Sequence, residues 1–310
     1  MSVPRASWNV TTSLGGLRGF VVGDELAADL STSNRLTDFE VRHPERFFNT
    51  GIAEQNMMSI GAGLAACGHQ AWVSTFAAFA SLLCAEHLHA DIVYPQLPVR
   101  VMAHHAGISM GFYGTSHHAV EDIAVTRSIA GMAVMAPCDA ASVRACVRAT
   151  LDEPGPVYLR LGRGSEPDVY AADVEIRRGH FICAREGDDV TVIATGIGVP
   201  AAIGAAERMS GEDVTVRVLD AVYLKPLDVV AIEAAARETG RILVVEEHNV
   251  IGGLGTAVAE TVGMLGLSAK VAKLGIDDQY VLVAPPSHLY RHYGLTSDGV
   301  VRQLRALLDR

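Results

Sequence analysis

Within "RFFNTGIAEQNMMSIGAGL" (46–64) a single acid, Glu54, follows Gly51, Ile52 and Ala53 and leads into a long Met/Ile/Leu/Ala segment. The residues before it read as a strand end and a glycine turn, and those after it as a helix start. Its carboxylate therefore belongs at a helix N-terminus on the carboxyl edge of an α/β sheet, where such folds bind ligands. One reading is an ordinary first-turn acid that favours the helix dipole in solvent. The other is a carboxylate taken out of water, which holds a proton more readily.

Further along, "STFAAFASLLCAEH" (74–87) sets Phe76 and Phe79 three apart, on one face of a helix. Such a pair serves either as core or as a stacking wall for a flat heteroaromatic ring. His87, His89, His104, His105, His117 and His118 crowd the next stretch, but no HExxH spacing or nearby ligand acid completes a metal set. The loop "HHAGISMGFYGTSHHAVED" (104–122) carries Gly107, Gly111 and Gly114 between histidines, as substrate-contacting loops of α/β proteins do. In "LRLGRG" (159–164) Arg163 emerges at the same sheet edge as Glu54, placed either for a phosphate or for plain solvation. In "EEHNVIGGLGTAV" (246–258) the glycine turn lacks GxGxxG spacing and reads as close packing of helix on strand.

The elements that must hold these residues alternate. Strands are expected at 20–23, 46–49, 71–75, 99–104, 132–136 and 156–162, with helices near 54–67, 76–93, 120–130 and 139–151. A polar linker occupies about 163–189, with a return strand near 180–184. A second set follows at 190–196, 214–220, 241–248 and 269–275. The expected fold class is α/β in two domains, 1–178 and 179–310, each a mostly parallel sheet flanked by helices.

A net charge of −10 argues against a nucleic-acid surface, so an anionic small substrate needs a few converging Arg and His residues. The five scattered cysteines form no CxxC pair, which points away from disulfide scaffolds and towards a reducing cytoplasm. The first residues have no apolar signal core, and no run approaches the roughly 18 apolar residues of a membrane span.

Taken together, these strings resemble the transketolase family of thiamin diphosphate enzymes, in its pyrimidine-binding and C-terminal domains. The matching motifs are "RFFNTGIAEQNMM" (46–58), "ADLSTSN" (28–34), "STFAAF" (74–79), "HAG" (105–107), "GTSHHAVED" (114–122), "PVYLRLGR" (156–163) and "EEHNVIGGLG" (246–255). They run in the family's order along nearly the whole chain. The resemblance implies that Glu54 hydrogen-bonds a ring nitrogen of the cofactor's aminopyrimidine and promotes the imino tautomer that removes the thiazolium proton. It implies that Phe76 and Phe79 flank that ring, with Asp29 and Leu30 near the cofactor's bend. Ser33, His105 and Arg163, with Arg5 as a fourth, match residues that hold a sugar phosphate, and His117 matches a histidine at the reacting carbon.

Two positions depart from the family pattern: Phe112–Tyr113 stand where an acidic pair is common, and His118 where Gln is common. The pair's aspartate usually contacts a sugar hydroxyl. The diphosphate-binding half, with its GDG and downstream Asn for Mg²⁺, has no counterpart: "VGDEL" (22–26) and "EGDDV" (186–190) do not match it. The resemblance thus implies one subunit of a split transketolase, moving a two-carbon ketol unit between sugar phosphates. Its partner would be an N-terminal-half subunit that holds the diphosphate and Mg²⁺, with a heterotetramer as the family symmetry. Alternatives are a 1-deoxyxylulose-5-phosphate-synthase-like or 2-oxoacid-dehydrogenase-β-like subunit, a non-catalytic assembly subunit of the same fold, or a His-rich metalloenzyme.

Overall fold

The computed structural model describes residues 8–11, 18–21, 23–164, 166–171 and 174–309; Arg5 lies outside them. Strands β1 (Trp8–Thr11) and β2 (Arg18–Val21) pair antiparallel as a separate hairpin. The first sheet comprises β3 (Asp24–Ala27), β4 (Phe47–Asn49), β5 (Ala71–Phe76), β6 (Arg100–His104), β7 (Ala133–Met135), β8 (Val157–Arg160) and, from much later in the chain, β12 (Tyr223–Lys225). Their order is β12-β7-β8-β6-β5-β3-β4, and only the β12–β7 pairing is antiparallel. The second sheet adds β9 (Ile182–Arg185), β10 (Val190–Ala194), β11 (Val216–Asp220), β13 (Arg241–Asn249) and β14 (Lys270–Ile276) in the order β14-β13-β10-β11-β9. Only β9 runs antiparallel there.

Helices cover both faces of each sheet, as parallel sheets require. On the first sheet, α2 (Glu54–Ala66) packs its Met57, Met58, Ala62 and Ala65 into one apolar cluster. On the opposite face, Phe39 of α1 (Thr37–Arg42) and Val143 and Cys146 of α5 (Ala140–Thr150) join Trp72 and Leu159. The α2-side cluster continues without a break into Ile193, Leu219, Leu224 and Ile232 of the second half, so the two sheets share a core.

The first strand of the first sheet falls on "DELA", not on the apolar "FVVG" at 20–23, whose residues to 21 lie in the hairpin. Two acids hide it in the sequence, and each finds a partner far along the chain. His69 Nδ1 lies 2.7 Å from Asp24, and Ser74 Oγ on the neighbouring strand donates to Glu25. Burial pushes the Glu25 carboxyl up from its ordinary 4.5 to about 8, against the opposing effect of the Ser74 hydrogen bond. Between those values the folded state keeps a proton that the unfolded chain has released. Stability therefore falls as pH rises through this window, by up to about 1.4 kcal/mol per pH unit, and levels off above it. Glu25→Gln is expected to remove that slope from urea titrations between pH 5 and 8; an unchanged slope would place the proton uptake elsewhere.

The expected helix over 76–93 is interrupted. Cys84 N bonds Phe79 O at 3.1 Å and Tyr94 N bonds His89 O at 2.9 Å, two wide turns on either side of the short α-helical piece α3 (Ala85–His87). Wide turns of this kind are frequent at functional sites, because they re-aim side chains without ending the helix.

Candidate active site

The parallel register brings the ends of β3, β5, β6 and β8 to one edge: Ala27 lies opposite Ser74, Phe76 opposite His104, and Ala103 opposite Arg160. Glu54 opens α2 at this edge and is 8% exposed. Its side chain takes no hydrogen bond from any described residue. The turn that delivers it is held by Asn49, whose Oδ1 accepts from Asp29 N at 3.1 Å and from Gly51 N at 3.0 Å. One amide thus fixes the Asp29 backbone and the approach to Glu54 together. The buried thiol of Cys84 sits close enough that burial and, second, the Glu54 charge push it up to about 12. Cys84 is therefore a neutral, weakly polar neighbour, and its cysteine identity is a signal that sequence reasoning passed over.

At the same sheet edge the wide turn aims Phe79 back at Phe76. Their rings stack at 5.7 Å between centroids and 26° between planes. The ring of His105 lies 4.4 Å from that of Phe76, and His117 meets Phe79 edge-on at 5.3 Å. His105 takes a left-handed φ of +57°, a strain of about 1–3 kcal/mol that the surroundings must hold in place. His105 N and Ala106 N bond Gly162 O and Leu161 O at 3.3 and 3.0 Å, clamping this segment along the end of β8. Burial, and next the nearby Arg163 charge, press the His105 ring down to about 4. Burial likewise lowers His117. The His105 imidazole is neutral at pH 7, and burial favours the uncharged form of His117. Arg163 is exposed, with its Nη1 3.5 Å from Ser109 O.

Glu54, Phe76, Phe79, His105, His117 and Arg163 thus share one edge of one sheet. Asp29 and Leu30 follow β3 at the same edge, Leu30 half-buried. Ser33 sits exposed on the turn beyond them, and no hydrogen bond among the described residues ties it to His105 or Arg163. No three His, Cys, Asp or Glu side chains among the described residues gather as metal ligands, and no described helix is long and apolar enough to cross a membrane.

Sequence reasoning missed what fixes the histidine loop. The turn after β13 packs as expected, with Glu246 accepting from Leu254 N and Gly255 N of α8 (Leu254–Met264) at 2.7 and 2.8 Å. Glu247, however, reaches across to the first half, where its Oε1 accepts from Ile108 N at 2.8 Å, and the same oxygen accepts from Tyr290 OH of its own half at 2.9 Å. Gly107 has φ +64°, and a Cβ there would lie 2.1 Å from the Glu247 carboxyl carbon, so only glycine permits the approach. The buried guanidinium of Arg160 bonds Asp122 at 2.8 Å and the Glu247 carbonyl at 2.9 Å. Adjacent acids followed by His in "EEH" were the available signal, since fully buried acids must be partnered.

Residues 14–167 match the family model for the transketolase pyrimidine binding domain, and residues 179–300 that for the transketolase C-terminal domain. The chain is 38% identical to one subunit of the apulose-4-phosphate transketolase of Phocaeicola vulgatus, covering 89% of this chain and 88% of that one. It is 37% identical to the putative transketolase C-terminal section of Methanocaldococcus jannaschii, covering 90% and 88%. A solved structure titled as a split gene transketolase, inactive beta4 tetramer, superposes with a TM-score of 0.82 at 41% identity, covering 92% of this chain and 91% of that one.

The chain belongs to the transketolase family. It is the half that carries the pyrimidine-binding and C-terminal domains, a transketolase-type transferase subunit of a heteromeric enzyme.

Proposed function

We propose that this chain supplies the aminopyrimidine and substrate half of a thiamin diphosphate enzyme that transfers a two-carbon ketol unit between sugar substrates, with diphosphate and Mg²⁺ held by an N-terminal-half partner. The carrying observation is the buried Glu54, which takes no hydrogen bond from the described residues, at the same sheet edge as the stacked Phe76–Phe79 pair. A flat apolar wall at the same edge as a buried carboxyl that no described residue bonds suits an aromatic ring that bears a basic nitrogen. The absence of a GDG sequence in the chain supports assigning Mg²⁺ to the partner.

Thiamin diphosphate, when bound, supplies the nucleophilic carbon that carries the ketol unit. The work of this chain is positioning and proton control. Glu54 hydrogen-bonds the ring nitrogen and shares a proton with it, and Phe76 and Phe79 fix the ring plane and exclude water. Asp29 and Leu30 line the path towards the partner. His117, whose uncharged form burial favours, gives or takes a proton at substrate oxygens near the reacting carbon. Arg163 and His105, with Ser33 and Arg5, bind the phosphate end through charge-assisted hydrogen bonds. We place the boundary between the two domains at residues 178 and 179, the assembly as a heterotetramer, and the enzyme in the cytoplasm, consistent with five unpaired cysteines.

Arg163→Ala is expected to raise KM for phosphorylated sugars roughly ten- to a hundredfold, with little change for unphosphorylated ones. An equal rise for both classes would contradict the phosphate role.

A further inference from the structure

The histidine-bearing loop leaves the end of β6 and closes on itself through a narrow neck. Gly107 and Ala119 form that neck, with Gly107 N donating to Ala119 O at 3.1 Å and Ala119 N to Gly107 O at 2.8 Å. His105 lies two residues outside the neck and His117 two residues inside it, so the neck sets where both rings stand. The ties of His117 itself are short-range: its N–H donates to Gly114 O at 2.9 Å, and its Nδ1 lies 2.9 Å from Ser116 Oγ.

The neck is held from the second half of the molecule. Glu247 on β13 is 3% exposed, and its Oε1 accepts from Ile108 N, the residue next to the neck. At the end of the same strand Asn249 N donates to Val120 O at 2.8 Å, on the other side of the neck. Arg160 Nη2 donates both to Ala119 O at 3.2 Å and to the Glu247 carbonyl, and Tyr290 steadies the Glu247 oxygen that meets Ile108. A buried polar network whose members are joined in this way fixes one arrangement of the segments it links. Glu54, Phe76 and Phe79 have different supports. Asn49 holds the turn before Glu54, and the bond from Cys84 N to Phe79 O shapes the wide turn. The carboxyl and the aromatic pair can therefore keep their places when the neck shifts.

We propose that Glu247 is a positioning residue for ketol transfer: by holding Ile108 N it sets the histidine loop, so that the second half of the chain governs the transfer step and leaves the grip on the cofactor ring unchanged. This rests on the transferase reading and gives the second half a part in it. A misplacement of about 1 Å at a reacting group costs about 10²-fold in rate.

Two variants separate reach from charge. Glu247→Asp keeps the charge but is one methylene too short to meet Ile108 N in place. Glu247→Gln keeps the length and the accepting oxygen, and burial already pushes the native carboxyl up to about 7, so a neutral side chain suits the position. In the heteromer reconstituted with its diphosphate-binding partner, Glu247→Asp is expected to lower kcat about 10²-fold, while the Kd for thiamin diphosphate and deuterium exchange at its thiazolium carbon stay at wild-type values. Glu247→Gln is expected to keep most of the wild-type kcat. Amide hydrogen exchange on the full chain by itself gives a readout free of turnover. Peptides over 106–120 should lose protection in Glu247→Asp and keep it in Glu247→Gln, with those over 54–66 unchanged in both. Equal losses in the two variants, or a loss in Glu247→Asp that takes cofactor binding with it, overturns the proposal. Absence of ketol transfer in the wild-type heteromer overturns the transferase reading and this inference together; wild-type transfer with an unchanged kcat in Glu247→Asp overturns this inference alone.

Discussion

Glu54→Gln is expected to lower ketol transfer by the assembled heteromer by about 10²–10⁴-fold, the usual span for removing a positioned acid–base group. The substitution keeps the volume and polarity of the side chain and removes only its ability to hold a shareable proton. Because Glu54 bonds no described residue, the unfolding midpoint should move little, within about 0.5 kcal/mol. Deuterium exchange at the thiazolium carbon of the bound cofactor should slow together with turnover. Exchange at the wild-type rate alongside lost turnover would assign Glu54 to a later step, and full turnover would remove it from the chemistry.

The second large effect concerns assembly. The purified chain alone is expected to show ketol transfer at least about a thousandfold below the heteromer, since half of the preorganised site is missing. The exposed apolar side chains on the turn before Glu54 and on the interrupted helix that follows β5 are consistent with a face awaiting cover: Ile52 is 84% exposed, Leu82 56% and Tyr94 84%. Titrating the partner into this chain should restore activity to a plateau at one partner per chain. Activity of the lone chain within tenfold of the mixture would contradict the division of labour.

The sequence made the alternating parallel architecture legible because most strands are continuous β-branched or aromatic runs bounded by glycine or polar turns. That Glu54, Phe76, Phe79, His105 and Arg163 come to one sheet edge was legible because each ends a strand or follows one within five residues. The failures have physical causes. The strand at 24–27 was hidden because its acids are satisfied by Ser74 and His69, residues about 45–50 positions away, which no local window contains. The short strand Tyr223–Lys225 pairs with Ala133–Met135 across the chain's two halves, and three residues carry no period. Glu247 looked like part of a packing turn because its partners, Ile108 and Tyr290, are separated from it by 139 and 43 positions.

The central claim is that this chain grips the ring end of thiamin diphosphate while another chain grips its charged end. Isothermal titration of the cofactor with Mg²⁺ into this chain, into the partner, and into their mixture tests it most directly. Tight binding in the mixture, with at most weak binding to this chain and no Mg²⁺ dependence of that weak binding, is the result expected. Mg²⁺-dependent binding to this chain alone, as tight as in the mixture, would contradict it.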